Sequence, residues 1–505
     1  MYTACVTSHP FRRLLVANRG EIALRVLRTA REMGLETVAV YSDADRNALH
    51  VRRADHAVRI GPPPPRESYL RIEALLAAAK ASGAEAIHPG YGFLAENAAF
   101  AQACEDAGLV FVGPRPRAIR AMGDKVEARK IAAAAQVPLV PGLKEDVRDE
   151  QMLVQAAQQI GYPVMLKAAA GGGGKGIRIV REAKELLPAA QMARAEAKGA
   201  FGDDRIYLEK LVTRPRHVEI QVMADTHGNV VSYGERECSV QRRHQKLVEE
   251  SPCAALTPEQ RRQMGEAACT LARAVEYRGA GTVEFLWSEG KFYFLEMNTR
   301  LQVEHPVTEM RFGADLVREQ LRVAMGEKLT PVPEPRGAAI EVRVNAEDPD
   351  TFFPSLGTIS RLALPGGAGV RIDGALYRGL EVTPHYDSLL AKLVVWAEDR
   401  ERATARMLRA LEELRIIGVA TSVPTAIAAL RSAEWASGDY DTGILERTGP
   451  VQDQALLEIA SLVAAVAKYR GTERVEAVGG GGAAGTTLSP WVQAERSERL
   501  ARRTR

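Results

Sequence analysis

The chain has 505 residues, of which 46 % are hydrophobic and 26 % charged; these are ordinary proportions for a soluble globular protein, and the length suggests roughly two to four domains. Residues 491–505 carry five Arg and two Glu, which is the whole of the net charge of +3, so the rest of the chain is neutral and no nucleic-acid partner is expected. Five cysteines without a CxxC pair, no apolar run of bilayer length and no apolar signal core lead to the expectation of a cytoplasmic protein with reduced thiols and no membrane contact.

Residues 14–17 read as a buried strand, 21–33 as an amphipathic helix closed by Gly34, and 37–41 as the next strand, which indicates a parallel α/β domain. Four prolines at 62–65 mark a loop, and a helix over about 69–81 precedes a short strand at 86–88 and the turn-rich HPGYG of 88–92. An Ala- and Lys-rich helix is expected around 123–135, then a short apolar strand over 162–167. AGGGGKG, residues 170–176, runs directly into the β-branched IRIV of 177–180. Further strands are expected at 206–209, 217–224, 230–235, 281–287 and 292–298, followed by a mixed α+β block over 336–446. A small helix near 455–469 then leads into VGGGGAAGTT, residues 478–487, which has the composition of a flexible linker.

The glycine loop joins two strands, so it is not a dinucleotide fingerprint, which opens a helix; nor is it a Walker A loop, because no Ser or Thr follows its Gly-Lys pair. The functional reading is a flap whose backbone N–H groups, at Gly172, Gly173 and Gly174, fold over phosphates; the alternative is a flexible hairpin tip. FLEMNTRLQVEH, residues 294–305, alternates strictly and would place Glu296, Asn298, Arg300, Gln302 and Glu304 on one face of a strand. Glu296 and Glu304 would then stand ~26 Å apart at ~3.3 Å per residue. The row must therefore bend after Asn298, or serve an elongated site, or both.

MGDK (122–125), AGGGGKG, EKLVTRPRHVEIQV (209–222), ERECSVQRRHQKLVEESP (235–252), EFLW (284–287), EMNTRLQVEHPVTE (296–309) and EVRVNAEDP (341–349) occur in the order seen in biotin carboxylases, which are ATP-grasp enzymes. ANRGEIA (17–23) and HPGYGFLAEN (88–97) also resemble that family, and the resemblance covers about residues 11–446. It implies a multidomain α/β and α+β chain: an N-terminal Rossmann-like parallel sheet over 1–122, an ATP-grasp domain over 123–335 with a mobile lid at about 140–210, a mixed α+β biotin-carboxylase C-terminal domain over 336–446, and a tail over 447–505 made of a helix, a Gly-rich linker and a basic end.

The activity implied by the resemblance is ATP- and bicarbonate-dependent carboxylation of biotin through carboxyphosphate. By the same resemblance Glu284, Glu296 and Asn298 are ligands for Mg²⁺ or Mn²⁺, with two ions expected, and oxygen donors of this kind suit such hard cations. Lys125 and Lys167 fall to the ATP phosphates, Glu209 and the backbone from Lys210 to Val212 to the adenine, and His217, Gln241 and His244 to ribose or phosphate. Bicarbonate falls to Arg300, whose planar fork suits an oxyanion, with Gln302, the backbone at Val303, and Lys246. Glu304 is then the general base, Lys246 steadies the added charge, and Arg343 stabilises the oxyanion on biotin's ureido carbonyl.

Ala170 and Lys175 stand where family members can carry Gly and Arg. No Met-Lys-Met attachment motif is present, so biotin is expected on a separate carrier protein. A carboxyltransferase subunit is expected to be a further partner, and a homodimer is the expected assembly. LSPWVQAERSERL, residues 488–500, resembles the start of the region that follows the carboxylase part of longer acyl-CoA carboxylase chains. The alternatives are another ATP-grasp ligase of the carboxylate–amine or carbamoyl-phosphate type, or an inactive regulatory subunit. RRHQK, residues 242–246, as an RNA patch is disfavoured by the absence of interleaved aromatics and by Glu249 and Glu250 nearby.

Overall fold

The computed structural model describes residues 10–143, 149–168, 177–242 and 245–448, together with Leu462, Ala465 and Val466. The glycine loop, His244, and most of the expected 455–469 helix, with the linker and basic end after it, lie outside the described residues. The described residues up to 448 belong to one compact unit. Among the described residues no helix is long and apolar enough to cross a membrane, and Cys104, Cys238, Cys253 and Cys269 are free and buried.

The N-terminal region is an all-parallel five-stranded sheet, in the order His56–Gly61, Glu36–Ser42, Arg13–Val16, Ala86–His88, Val110–Phe111. Near-continuous apolar strands such as Arg13–Val16 are what a sheet covered on both faces requires. The Gly20–Glu32 helix directly follows the first strand, and its buried stripe of Ile22, Ala23, Val26, Leu27 and Ala30 packs against Leu14 and Val16.

A small module between 149 and 210 has its own core of Leu153, Ala157, Leu166, Val180, Leu186 and Leu208. It contains an antiparallel sheet, Arg178–Val180, Val164–Ala168 and Ile206–Lys210, backed by the helices Glu150–Ile160 and Leu186–Phe201.

An eight-stranded antiparallel sheet carries the rest. Its order is Lys291–Asn298, Gly279–Ser288, Arg216–Ala224, Val230–Arg242, Gln245–Ser251, Ala338–Asn345, Leu389–Ala397, Val370–Gly374. The sheet is continuous from the strands before residue 335 to those after it. Val218, Ile220, Val283 and Phe285 on one face join the core with Met264, Ala268, Leu271 and Ala272 of the Pro258–Ala274 helix. Side chains alternate across a strand, so the intervening His217, Glu219, Gln221, Thr282 and Glu284 share the opposite face. That face is polar and also buried.

Gly234 sits where the register of Val230–Arg242 slips against Arg216–Ala224, between Ser232 and Glu235. Its φ is +70°, in the left-handed region glycine tolerates, and a Cβ there would stand 3.2 Å from the Phe312 ring. A bulge of this kind resets the phase of the residues that follow it, and here it aims Arg236 at Glu219.

The row at 294–305 does not remain a strand. The strand ends at Asn298, residues 299–304 form a turn, and His305–Phe312 is a helix with Glu304 at its N-cap position. Pro306 suits the helical start, since proline is pre-set for the first turn of a helix.

Candidate active site

Register alone assembles the centre of the site. Glu296 lies opposite Glu284, Glu284 opposite Glu219, and Glu219 opposite Arg236, so four neighbouring strands set these side chains in one line across the sheet. The turn at 299–304 then folds Gln302 and Glu304 back over that line. Gln302 Nε2 donates to Glu284 Oε1 at 2.9 Å, and Asn298 Nδ2 donates to the same oxygen at 2.8 Å.

Lys246 links the carboxylates. Its Nζ lies 2.5 Å from Glu219 Oε2, 2.5 Å from Glu304 Oε1 and 3.1 Å from Glu284 Oε1. Burial works against its charge, but Cys238 and the three carboxylates hold its pKa well above the usual lysine range. Arg343 closes the other side of Glu304, with Nη2 donating to Glu304 Oε2 at 2.8 Å and Nε to Glu249 Oε1 at 2.6 Å. Each oxygen of Glu304 is thus bound by its own cation. Burial alone would raise the Glu304 pKa; Lys246, Arg343 and Arg236 outweigh it and hold the carboxyl well below the usual carboxylate range. Glu284 is held down in the same way, by Lys246 and by His217, whose Nε2 is 2.9 Å from Glu284 Oε2. His217 is raised in turn: burial opposes its charge, and the Glu284 carboxylate prevails.

Glu296 differs. Crowding by the protein and then the like charge of Glu284 push its carboxyl up, while solvent moderates the effect because 38 % of its side chain is exposed. Lys125 Nζ is 3.6 Å from its Oε2. Glu284, Glu296 and Asn298 together present an all-oxygen set at one edge of the sheet, the chemistry a hard divalent cation takes. A tighter cluster of possible ligand atoms, within 4.8 Å of one another, is formed by His217, Glu219 and Glu284.

The expected residues thus fall into two groups. Lys246, Glu284, Glu296, Asn298, Arg300, Gln302, Glu304, Arg343 and His217 form one connected set, with Gln241 Nε2 at 3.4 Å from His217 Nδ1. The second group is separate: Lys167 Nζ lies 2.6 Å from Glu209 Oε2, and Arg129 bonds the other oxygen of that buried carboxylate. Lys210 turns its Nζ to the carbonyls of Gly161 and Tyr162, at 2.8 and 3.1 Å, and Val212 lies just past the end of its strand. Gly172, Gly173, Gly174 and His244 lie outside the described residues.

Five residues not singled out from the sequence hold the site together. Glu96, within the HPGYGFLAEN motif, accepts from Arg300 Nε at 2.9 Å and from the Thr299 N–H at 2.9 Å, which ties the turn to the N-terminal region. Lys392, fully buried, donates to the Val303 carbonyl at 2.9 Å. Glu219, Arg236 and Arg129 complete the set. Glu219 has a local signal: HVEIQV, residues 217–222, repeats the polar–apolar alternation of 294–305. Glu96 and Lys392 carry no comparable signal, because their partners lie about 200 and 89 residues away.

Comparison with known proteins gives three consecutive family matches: the N-terminal domain of biotin carboxylase over residues 10–119, the ATP-binding domain of the carbamoyl-phosphate synthase L chain over 124–332, and the biotin carboxylase C-terminal domain over 341–447. Biotin carboxylase 1 of Bacillus subtilis is 51 % identical over 441 residues, spanning 86 % of this chain and 98 % of the relative. One pyruvate carboxylase subunit of Methanothermobacter thermautotrophicus is 51 % identical over 440 residues, spanning 86 % of this chain and 90 % of the relative. Among solved structures, the biotin carboxylase–β,γ-ATP complex from Campylobacter jejuni superposes with a TM-score of 0.84 at 46 % identity, covering 86 % of this chain and 99 % of that one. The biotin carboxylase domain dimer of Hydrogenobacter thermophilus 2-oxoglutarate carboxylase, in complex with MgADP, ADP and bicarbonate, gives 0.82 at 48 % identity, covering 86 % and 97 %.

Proposed function

The chain belongs to the biotin carboxylase family and is an ATP-dependent carboxylase, and we propose that it carboxylates carrier-borne biotin from bicarbonate by a mechanism centred on Glu304. The observation that carries this reading is the double clamp on that carboxylate, with Lys246 on Oε1 and Arg343 on Oε2.

In the resting site the clamp keeps Glu304 ionised, and so ready to accept a proton, but a weak base. Each substrate competes for one of the two cations. Bicarbonate, held by Arg300, Gln302 and the backbone at Val303, draws on Lys246. The developing oxyanion of biotin's ureido group draws on Arg343. Losing Lys246 to bicarbonate raises the basicity of Glu304, so the base gains strength when there is a proton to take. Glu304 then takes the bicarbonate proton as the anion attacks the terminal phosphate of ATP and ADP departs, and Lys246 steadies the resulting carboxyphosphate; carboxyphosphate divides into CO₂ and phosphate, the phosphate takes the ureido N–H proton, and that nitrogen adds to CO₂.

Glu284, Glu296 and Asn298 fit Mg²⁺ or Mn²⁺, and two ions are proposed; metal held there supplies charge neutralisation across the nucleotide phosphates. Lys125 and Lys167 bind those phosphates, with Glu209, Lys210 and Val212 toward adenine and His217, Gln241 and His244 toward ribose or phosphate. Partners are a biotin carboxyl carrier protein and a carboxyltransferase subunit, supported by the Methanothermobacter relative, whose name makes it one component of a multisubunit pyruvate carboxylase. A homodimer is supported by the Hydrogenobacter domain dimer.

The test is ATP cleavage measured with and without bicarbonate and free biotin. Cleavage that requires bicarbonate and rises with biotin supports the proposal. Cleavage indifferent to both, or stimulated instead by an amine acceptor, overturns it.

A further inference from the structure

Arg236 takes no part in the mechanism above, yet it is one of the largest fully buried side chains in the protein. A guanidinium has five N–H donors and no acceptor, and here all five are used. Nε donates to Glu219 Oε1 at 2.5 Å; Nη1 donates to Gln221 Oε1 at 2.7 Å and to Thr308 Oγ1 at 3.0 Å; Nη2 donates to Thr282 Oγ1 at 3.1 Å and to Gln302 Oε1 at 2.9 Å. Two consequences follow from donor chemistry. Gln302 can meet Arg236 only through its oxygen, so its NH₂ must face the opposite way, where it reaches Glu284 Oε1. Glu219 turns Oε1 to Arg236 and meets Lys246 through Oε2.

We propose that Arg236 is a positioning residue that sets bicarbonate affinity, by locking the Gln302 amide with its donors toward the anion and by orienting Glu219 toward Lys246. This rests on the reading of Gln302 and Lys246 as bicarbonate contacts. The nucleotide contacts proposed above do not touch Arg236, so its effect falls on one substrate and spares the other. Lysine is not an equivalent replacement, since three donors on one nitrogen cannot reproduce the planar five-point arrangement.

The test is steady-state kinetics on Arg236→Lys, Gln302→Ala and the double variant, with bicarbonate and ATP varied separately. The expected result for Arg236→Lys is a rise in the KM for bicarbonate on the order of tenfold or more, with the KM for ATP unchanged, and a smaller further rise, through Glu219 and Lys246 alone, when it is added to Gln302→Ala. Equal rises in both KM values, or additive effects in the double variant, would overturn the inference by reducing Arg236 to a structural role. If Arg236→Lys does not fold, Thr308→Val removes one acceptor only and should raise the bicarbonate KM about threefold without moving that for ATP; an unchanged bicarbonate KM there counts against the inference. Gln302→Ala with an unchanged bicarbonate KM would instead remove the cradle itself, whereas a rise in that variant without one in Arg236→Lys would remove only the role of Arg236.

Discussion

Glu304 and Glu341 are buried alike, at 2 % and 0 % exposure, and stand on either side of Arg343, yet their environments drive them in opposite directions. Glu304 has a cation on each oxygen and is held ionised. Glu341 has no hydrogen-bond partner on either oxygen and faces Glu249 directly across the sheet. Burial first, and then the like charge of Glu249, push Glu341 well above the usual carboxylate range. Glu249 rises to about 7, burial outweighing its bond to Arg343. Burial therefore sets the cost of a charge, and the partner supplied by the neighbouring strand decides its sign. In the region around Lys246 the sheet supplies cations and keeps carboxylates charged for chemistry. One strand further on, it supplies a second carboxylate and keeps protons bound.

Removing the cation should abolish the difference between the two regions. Lys246→Met takes away the cation that Glu219, Glu284 and Glu304 share and leaves each with one cationic partner, Arg236, His217 and Arg343 in turn. Stranding buried charge in this way costs about 3–5 kcal/mol, so denaturant unfolding should show a loss of that size along with loss of carboxylation. Stability retained within about 1 kcal/mol would mean that the lysine is not what keeps those carboxylates ionised.

Glu21 is an intermediate case. Lys392 Nζ lies 3.2 Å away, but burial prevails and lifts the carboxyl from 4.5 to about 7. A raised acid favours the folded state while protonated. The corresponding stability is complete below pH ~4.5 and is lost as the pH rises through about 7, amounting to about 3 kcal/mol in all. Thermal melts between pH 5 and 8 should show this decline, and Glu21→Gln should flatten it. An unchanged pH slope in the variant would show that Lys392 fully compensates Glu21.

The smallest effect belongs to the region that keeps its protons. Glutamine imitates a protonated glutamate, so Glu341→Gln should change stability at pH 7 by less than about 1 kcal/mol. A loss as large as that of Lys246→Met would mean that Glu341 is ionised and paired.

Period-two alternation made one half of the site legible in the sequence, and the bend after Asn298 that the spacing required in the other half is present. Glu296 and Asn298 do lie on a strand, but Arg300, Gln302 and Glu304 follow the same alternation through a turn and a helix cap. Spacing arithmetic required a bend without saying what would make it. The parallel N-terminal sheet was readable from its strand–helix–strand opening, since those contacts are local. The full register was not: Glu296 and Glu284 meet across a hairpin, but Glu284 meets Glu219 on a strand distant in sequence, and Glu219 meets Arg236 only through the slip at Gly234. Glu96 and Lys392 were hidden for the same reason: each acts on a turn distant in sequence.

The most direct test of Glu304 as the base released by bicarbonate is Glu304→Gln assayed for ATP affinity and for carboxybiotin formation in parallel. The account predicts ATP binding within about threefold of the parent and carboxylation reduced by at least ~100-fold, the usual scale for a lost general base. Carboxylation that survives in the glutamine variant, or nucleotide binding that disappears with it, would contradict the account.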